Sequence, residues 1–434
     1  MNSQKYLEAL DKVDPYRING KVQKIVGMVI ESSGPAASIG ELCFIDNREK
    51  KKILAEVVGF KEDRVILMPL GEMRGITPGS FVVSTGKDFC IQIGKDLIGR
   101  VLNGLGKPID EKGDLQENEI SSIHSTPPEP LKRQRIVKPF HTGIRAIDTL
   151  LTCGQGQRMG IFSGSGVGKS VLLGMIARDS SADVNVIALI GERGREVREF
   201  IERDLKEEGL KKTVVIAATA DQAPLVRVKA ALVATTIAEY FRDLGMNVLL
   251  LMDSLTRIAL AQREVGLAVG EPPTTRGFTP SVFSLLPQIL ERAGTSNSGS
   301  ITGFYAVLVE GDDFNEPISD CSRATLDGHI ILSRKLAGLN HYPAVDVLES
   351  VSRVMKDVAS REQLELSNKL KNLLAAYKEA EDLINIGAYS PGSNRKVDYA
   401  LSKMEKINAF LQQKIDEHSD FEASLNQLKG IFKE

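Results

Sequence analysis

The chain has 434 residues, 42% of them hydrophobic and 26% charged, and a formal net charge of −2. That length is too great for one ordinary core and predicts two or three domains, and the composition excludes a disordered or fibrous chain. The near-neutral balance excludes a global basic field for nucleic acid. The scattered cysteines (Cys43, Cys90, Cys153 and Cys321) and isolated histidines offer no zinc spacing.

From the amino terminus, residues 1–19 form a short leading segment. Met1–Tyr16 lacks a basic head followed by an apolar block, so it is not read as a secretory signal. Tyr6, Leu7 and Leu10 give a modest amphipathic pattern that suits either a short helix or a frayed end. Residues 20–90 form the next unit. Short runs at Lys24–Ile30, Glu41–Ile45, Ile53–Phe60 and Arg64–Met68, broken by Gly, Pro, Asn and Asp, predict a small all-β barrel or sandwich. The stretch from Gly94 to Pro139 is rich in Gly and Pro and reads as an extended linker opening the third unit, residues 91–358.

Beyond Gln157 the pattern alternates. Strand-like runs at Arg158–Phe162, Asn185–Ile190, Val214–Ala217, Val248–Met252 and Phe304–Val309 are separated in several places by helical stretches, at Val171–Arg178, Glu196–Lys206 and Leu225–Leu244. Such alternation predicts an α/β core with a parallel sheet covered on both faces. Strands vanish in residues 359–434. Glu362–Ile386 and Val397–Lys433 are charged, Leu-rich and helix-periodic, with a break at Ser390-Pro-Gly-Ser393, and predict a C-terminal helical domain. No apolar run is long enough to cross a bilayer. Scattered thiols fit a reduced, cytosolic protein.

The strongest signal is Ser163-Gly-Ser-Gly-Val-Gly-Lys-Ser170, between a predicted strand and a predicted helix. In that context the backbone N–H groups of Gly164, Ser165, Gly166, Val167 and Gly168 cradle a polyphosphate, aided by the N-terminus of the helix that carries Val171. Lys169 places a positive charge on the terminal phosphates, and the Ser170 hydroxyl is a ligand for Mg²⁺. One position departs from the usual pattern, which begins with Gly where this chain has Ser163. The apolar run Asn247–Met252 ends in Asp253, placed at the carboxyl edge of the predicted sheet to hold Mg²⁺ through its water shell. Ile187–Gly191 ends in Glu192-Arg193, where a carboxylate would polarise an attacking water; on the residues alone, a solvated Glu-Arg pair fits as well.

These motifs resemble the hexameric rotary and secretion ATPases, relatives of the ATP synthase β subunit with a RecA-type core. Gly191-Glu-Arg193-Gly-Arg195-Glu196 resembles the family's catalytic segment, and Ala261-Gln-Arg263-Glu264 through Gly270-Glu-Pro-Pro273 its loop after the Mg²⁺ strand. His341-Tyr-Pro-Ala-Val-Asp346 and Ser350-Val-Ser-Arg353 resemble its adenine-contact and arginine-finger regions. Within the family the pattern is most similar to the flagellar type III export branch. It is carried by Leu150-Leu-Thr-Cys-Gly-Gln-Gly-Gln-Arg-Met-Gly-Ile-Phe162 and Val309-Glu-Gly-Asp-Asp-Phe-Asn-Glu-Pro-Ile318.

The resemblance implies an N-terminal β-barrel, a RecA-type P-loop core and a C-terminal helical domain. It implies Glu192 as the catalytic, base-like glutamate with Arg193 its neighbour, Arg353 as the residue reaching a neighbouring subunit's nucleotide, and Tyr342 packed on adenine. It further implies Mg²⁺-dependent ATP hydrolysis in a homohexamer, peripheral to the cytoplasmic face of the inner membrane. Export gate components, a regulatory stator-like partner and export chaperones would be its partners, and nucleic acid would not. The competing expectations are a catalytic subunit of a rotary ATP synthase or proton pump, and an injectisome secretion ATPase. A Rho-type RNA motor is disfavoured because residues 20–84 lack an aromatic-rich basic strand pair, and a non-hydrolysing ring subunit because Glu192 is present.

Overall fold

A computed structural model describes residues 19–49, 51–116, 119–309, 311 and 313–433. The expected short helix around Tyr6, Leu7 and Leu10 lies outside the described residues.

Six antiparallel strands, β1 (Gly20–Val26), β2 (Val29–Ser32), β3 (Glu41–Asp46), β4 (Lys52–Lys61), β5 (Arg64–Pro69) and β6 (Phe81–Asp88), close into a barrel in the order β1-β2-β5-β4-β3-β6. Closure removes both edges of the sheet. The inward side chains Val22, Ile30, Ile45, Val57, Leu67 and Val82 fill the interior. The barrel is clamped to the following domain by a buried ion pair between Glu56 of β4 and Lys229, 2.5 Å apart.

The Gly- and Pro-rich stretch read as a linker is part of the folded body. β7 (Cys90–Ile93) pairs with β9 (Glu119–Ser122), and β8 (Val101–Asn103) joins the central sheet beside β14. A three-residue edge strand is too short to show any periodicity in sequence.

The central sheet has nine strands. After the small pair β10 (Pro139–Phe140) and β11 (Cys153–Gly154) come β12 (Arg158–Ser163), β13 (Val184–Glu192), β14 (Thr213–Thr219), β15 (Asn247–Asp253), β16 (Gly294–Thr295), β17 (Ser300–Leu308), β18 (Gly328–Leu332) and β19 (Val345–Ser352). Their order is β19-β18-β12-β17-β15-β13-β14-β8, with β16 beside β17. Pairing is parallel except for β19 on β18 and β16 on β17, which are antiparallel. β13 and β15 are apolar and almost entirely buried, as strands covered on both faces must be. Each buried Val, Leu or Ile there contributes about 1.5–3 kcal/mol.

Helices α1 (Arg145–Leu150), α2 (Lys169–Asp179), α3 (Pro224–Asp243), α4 (Leu255–Val269) and α5 (Pro280–Arg292) flank this sheet. The expected helix Glu196–Lys206 is instead an α-helical turn at Gly194–Glu199, a π-helical stretch at Phe200–Leu205 and a further turn at Lys206–Leu210. The C-terminal domain holds α6 (Arg361–Asn385), α7 (Arg395–Leu411) and α8 (Phe421–Phe432), capped by Ser360, Asn394 and Asp420. The single stretch expected over Val397–Lys433 is thus two helices. The break is fixed by docking: Arg145 of α1 donates to the Phe410 and Gln412 carbonyls and pairs with Glu417, and Gln413 donates to the Gly143 carbonyl.

Candidate active site

In a parallel sheet the carboxyl ends of the strands form one edge, and β12, β15 and β13 deliver three functional groups to it. β12 runs straight into the phosphate loop, and α2 begins at Lys169. Gly166 and Gly168 have φ of 76° and 89°, the left-handed region that lets the loop turn its N–H groups inward. Gly164 lies under a different neighbour: a Cβ there would lie 2.5 Å from the guanidinium of Arg334, which would have to shift to admit it. Ser163, where the usual pattern has Gly, is the last residue of β12 and is buried. Its Cβ meets no such obstacle because the tight approach falls one residue later.

Lys169 Nζ pairs with the Asp253 carboxylate and lies 3.9 Å from Glu192 Oε1. All three side chains are at most 15% exposed. Asp253 ends β15 and is in register with Leu189 of β13. Glu192 lies three residues further along β13, past an irregularity between Ile190 and Glu192. Gly191 makes that bend with φ 72°, and a Cβ on it would sit 2.9 Å from Arg257 Cβ. The bulge re-aims Glu192 towards Lys169. Burial, followed by the nearby Asp253 charge, pushes the Glu192 carboxyl up to about 7, with Lys169 opposing and a hydrogen bond to Glu196 reinforcing the rise.

The other expected residues are spread around this centre. Ser170 and Val171 form the first turn of α2, with Ser170 exposed, Val171 half-buried and Val167 buried behind them. Ser165 is exposed at the loop tip. The Tyr342 ring lies against Gly168, since a Cβ there would be 3.3 Å from it, and 41% of this residue is open to solvent. Arg193 points away: its side chain is 79% exposed, 3.8 Å from Glu196.

Arg353 is not at this edge at all. It follows β19, and its N–H donates to the Asp327 carbonyl, while Asp327 N–H donates to Arg158 at the start of β12. Six residues of β12 separate that end from the loop, about 16 Å at a strand rise of about 3.3 Å per residue. One strand, β19, therefore has Tyr342 before it at the phosphate-loop edge and Arg353 after it at the opposite edge. Arg353 cannot serve the loop of its own chain.

The residues missed in sequence are Arg334 over Gly164 and Arg257 against Gly191. Each reaches the site from a separate element, so no contiguous motif announces it, whereas Glu196, bonded to Glu192, lies in the Gly191–Glu196 segment singled out in sequence. A basic residue just after a strand that ends at the phosphate-loop edge is the signal that Arg334 offered.

Comparison with known proteins finds matches along most of the chain. The nucleotide-binding domain model of the ATP synthase alpha/beta family matches residues 143–352, and that family's beta-barrel domain model matches 22–86. The T3SS EscN ATPase C-terminal domain model matches 359–430. The flagellum-specific ATP synthase of Bacillus subtilis is 52% identical over 99% of this chain and 99% of its own length. The assembled ATPase EscN of the enteropathogenic E. coli type III secretion system superposes with a TM-score of 0.89. Its identity is 47%, over 95% of this chain and 99% of the other. EscN in complex with its central stalk EscO gives a TM-score of 0.88, at the same identity and coverage.

Proposed function

The chain belongs to the ATP synthase alpha/beta family, in the group of flagellum-specific ATP synthases and type III secretion ATPases, and from that membership we propose a specific working of its site. It is a P-loop ATPase that hydrolyses ATP between subunits of a homohexamer and assists flagellar type III protein export. The observation that carries this reading is the split between the two ends of β19. Lys169, Asp253 and Glu192 converge at one edge of the sheet, and Arg353 stands at the other, away from the phosphate loop of its own chain.

In this reading the N–H groups of residues 164–168 and the Lys169 ammonium hold the β- and γ-phosphates. Tyr342 offers its open ring face to adenine. The donor set suits magnesium: a hydroxyl from Ser170 and a buried carboxylate from Asp253 are hard oxygen ligands, and Asp253 already faces a cation in Lys169. Ser170 would hold the ion directly and Asp253 through water, and the ion would supply neutralisation of phosphate charge. Glu192, within reach of Lys169, orients the attacking water and takes up its proton as the water oxygen bonds to the γ-phosphorus, the bond from that phosphorus to the β–γ bridging oxygen breaks, and ADP leaves with the electron pair. Arg353 of a neighbouring copy neutralises charge on the transferring phosphoryl group, an effect of about 10³–10⁵ in rate where it has been measured in other phosphoryl-transfer systems. Arg193 borders Glu192 and acts through placement of the Glu192–Glu196 segment.

Homohexamer assembly is supported by the assembled state of EscN, and a stator- or stalk-like regulatory partner by the EscN–EscO complex. Export gate components and export chaperones complete the proposed partners. A cytoplasmic protein peripheral to the inner membrane is in keeping with the helices, none of which, among the described residues, is long and apolar enough to cross a bilayer.

The test is Glu192→Gln. Mg·ATP binding, followed with a fluorescent nucleotide, is expected to stay within about threefold, while phosphate release falls about 10²–10³-fold. Turnover at the normal rate would remove Glu192 from the chemistry.

A further inference from the structure

Arg353 has a long side chain on an exposed edge, and a guanidinium that must meet a phosphate in another subunit gains nothing if its backbone wanders. The structure ties that backbone through two hydrogen bonds that meet on one carbonyl. Asp327 O accepts the Arg353 N–H at 3.1 Å and the Gln157 side-chain amide at 3.0 Å. The same Gln157 amide donates to Ser352 Oγ at 3.1 Å, and Ser352 Oγ donates to the Thr152 carbonyl at 2.8 Å. Gln157 is itself fully buried, and its Oε1 accepts the Gly154 N–H at 2.8 Å.

Asp327 is held in turn. Arg158 grips its carboxylate with Nε at 2.9 Å and Nη2 at 3.1 Å, and the Arg158 backbone N–H adds a third bond at 3.1 Å. Arg158 Nη1 is anchored to Glu291 at 2.5 Å. A two-pronged guanidinium–carboxylate pair fixes orientation as well as distance. The last link is at the finger: Arg353 Nη2 donates to the Arg323 carbonyl at 3.3 Å. None of these groups is near the phosphate loop of its own chain, so their bonds have no part in holding that chain's nucleotide.

We propose that Asp327, clamped by Arg158, together with Gln157 and Ser352, is a positioning set for Arg353 and so acts on the nucleotide of the neighbouring subunit. This rests on the reading of Arg353 given above. A displacement of about 1 Å at a positioned group can cost about 10²-fold in rate. Asp327→Ala is therefore expected to lower kcat about 10- to 100-fold with KM for ATP within about twofold. Ser352→Ala, which deletes one hydroxyl and leaves the Asp327 carbonyl, is expected to lower kcat about 3- to 10-fold.

The deciding measurement is complementation in mixed rings. Lys169→Ala subunits have a dead phosphate loop and an intact finger. Asp327→Ala subunits have an intact loop and a loose finger. Mixed one to one, about one interface in four joins the intact halves by random assortment in a cyclic ring, and activity should rise well above either parent alone. With Ser352→Ala, which decides the matter if Asp327→Ala does not fold, the mixture should match that variant alone at a loss of about threefold and exceed it about 2.8-fold at a loss of about tenfold, whereas a role within its own subunit would halve it. Arg353→Ala mixed with Lys169→Ala is the control for the underlying reading. If that control recovers but the Asp327→Ala mixture does not, or the Ser352→Ala mixture is halved, these residues act in their own subunit and the positioning proposal is overturned. If both variants turn over at the normal rate alone, it is overturned as well. If the control itself stays dead, the shared-site reading fails and the proposal falls with it.

Discussion

The two edges of the central sheet are built differently. At the carboxyl edge, Lys169, Asp253 and Glu192 crowd together in a nearly solvent-free cluster, with one ammonium between two carboxylates. At the amino edge, cations and carboxylates are matched in number: Arg158 and Arg133 share Asp327 and Glu291, and Arg292 pairs with Glu239 at 2.6 Å. The first arrangement leaves the Glu192 carboxyl pushed up to about 7, first by burial and then by the Asp253 charge, which Lys169 only partly offsets. The second is a satisfied frame that holds Arg353. A site waiting for ligand charge and the frame proposed to hold Arg353 for a neighbouring subunit thus differ in how completely their charges are matched.

The sharpest way to break this comparison is to remove one cation from each edge. Lys169→Ala is expected to abolish turnover, by 10³-fold or more, and to weaken nucleotide binding, because an ammonium facing phosphates and two carboxylates is lost. Arg353→Ala is expected to lose turnover on a similar scale while each subunit still binds ATP. Equilibrium binding of a fluorescent nucleotide to each variant separates the two outcomes. Equal loss of binding in both would mean that the two edges are not functionally distinct.

A smaller effect comes from the unbalanced charge itself. With its carboxyl at about 7 against an ordinary 4.5, Glu192 carries a growing proton fraction as pH falls below 7. The acid limb of kcat/KM should therefore drop about tenfold per pH unit below that point. The contribution to stability runs the other way. A carboxyl whose folded value is raised binds more protons folded than unfolded between 4.5 and 7, so its contribution is present in acid and is lost as pH rises through 7. Activity falling between pH 7 and 5 without loss of melting temperature is the expected signature. Glu192→Gln should flatten both trends, and an acid limb centred near 4.5 in the wild type would show the cluster to be better balanced than its geometry implies.

These contrasts also mark what could be read in advance. The phosphate loop was legible because cradling a polyphosphate needs consecutive N–H groups, and consecutive residues are what a sequence displays. Asp253 and Glu192 were legible as polar ends of apolar strands that a parallel sheet aligns. Arg334, Arg257 and the Asp327–Arg158 clamp were not, because each partner is supplied by tertiary packing. β8 was hidden by its brevity inside a Gly- and Pro-rich stretch. The break between α7 and α8 was hidden because Gln412–Asp420 contains neither Gly nor Pro. Its conformation is set by Arg145 and Gln413 rather than by local preference.

The smallest expected effect concerns the one residue that departs from the usual loop. Ser163 is buried, and its Oγ has no hydrogen-bond partner among the described residues. Ser163→Gly would restore the common pattern and delete an unpaired hydroxyl, a gain of about 1 kcal/mol or more. It would also free a strand residue in the unfolded chain, a loss of about 0.5–1 kcal/mol. The two nearly cancel, so melting temperature should move by no more than about 2–3 °C, with ATP affinity unchanged. Gly164→Ala, by contrast, drives a methyl group into the Arg334 guanidinium and should weaken nucleotide binding measurably. If Ser163→Gly altered affinity as much as Gly164→Ala, the close approach would belong to the first position of the loop after all, and the Arg334 contact would not explain why glycine stands at the second.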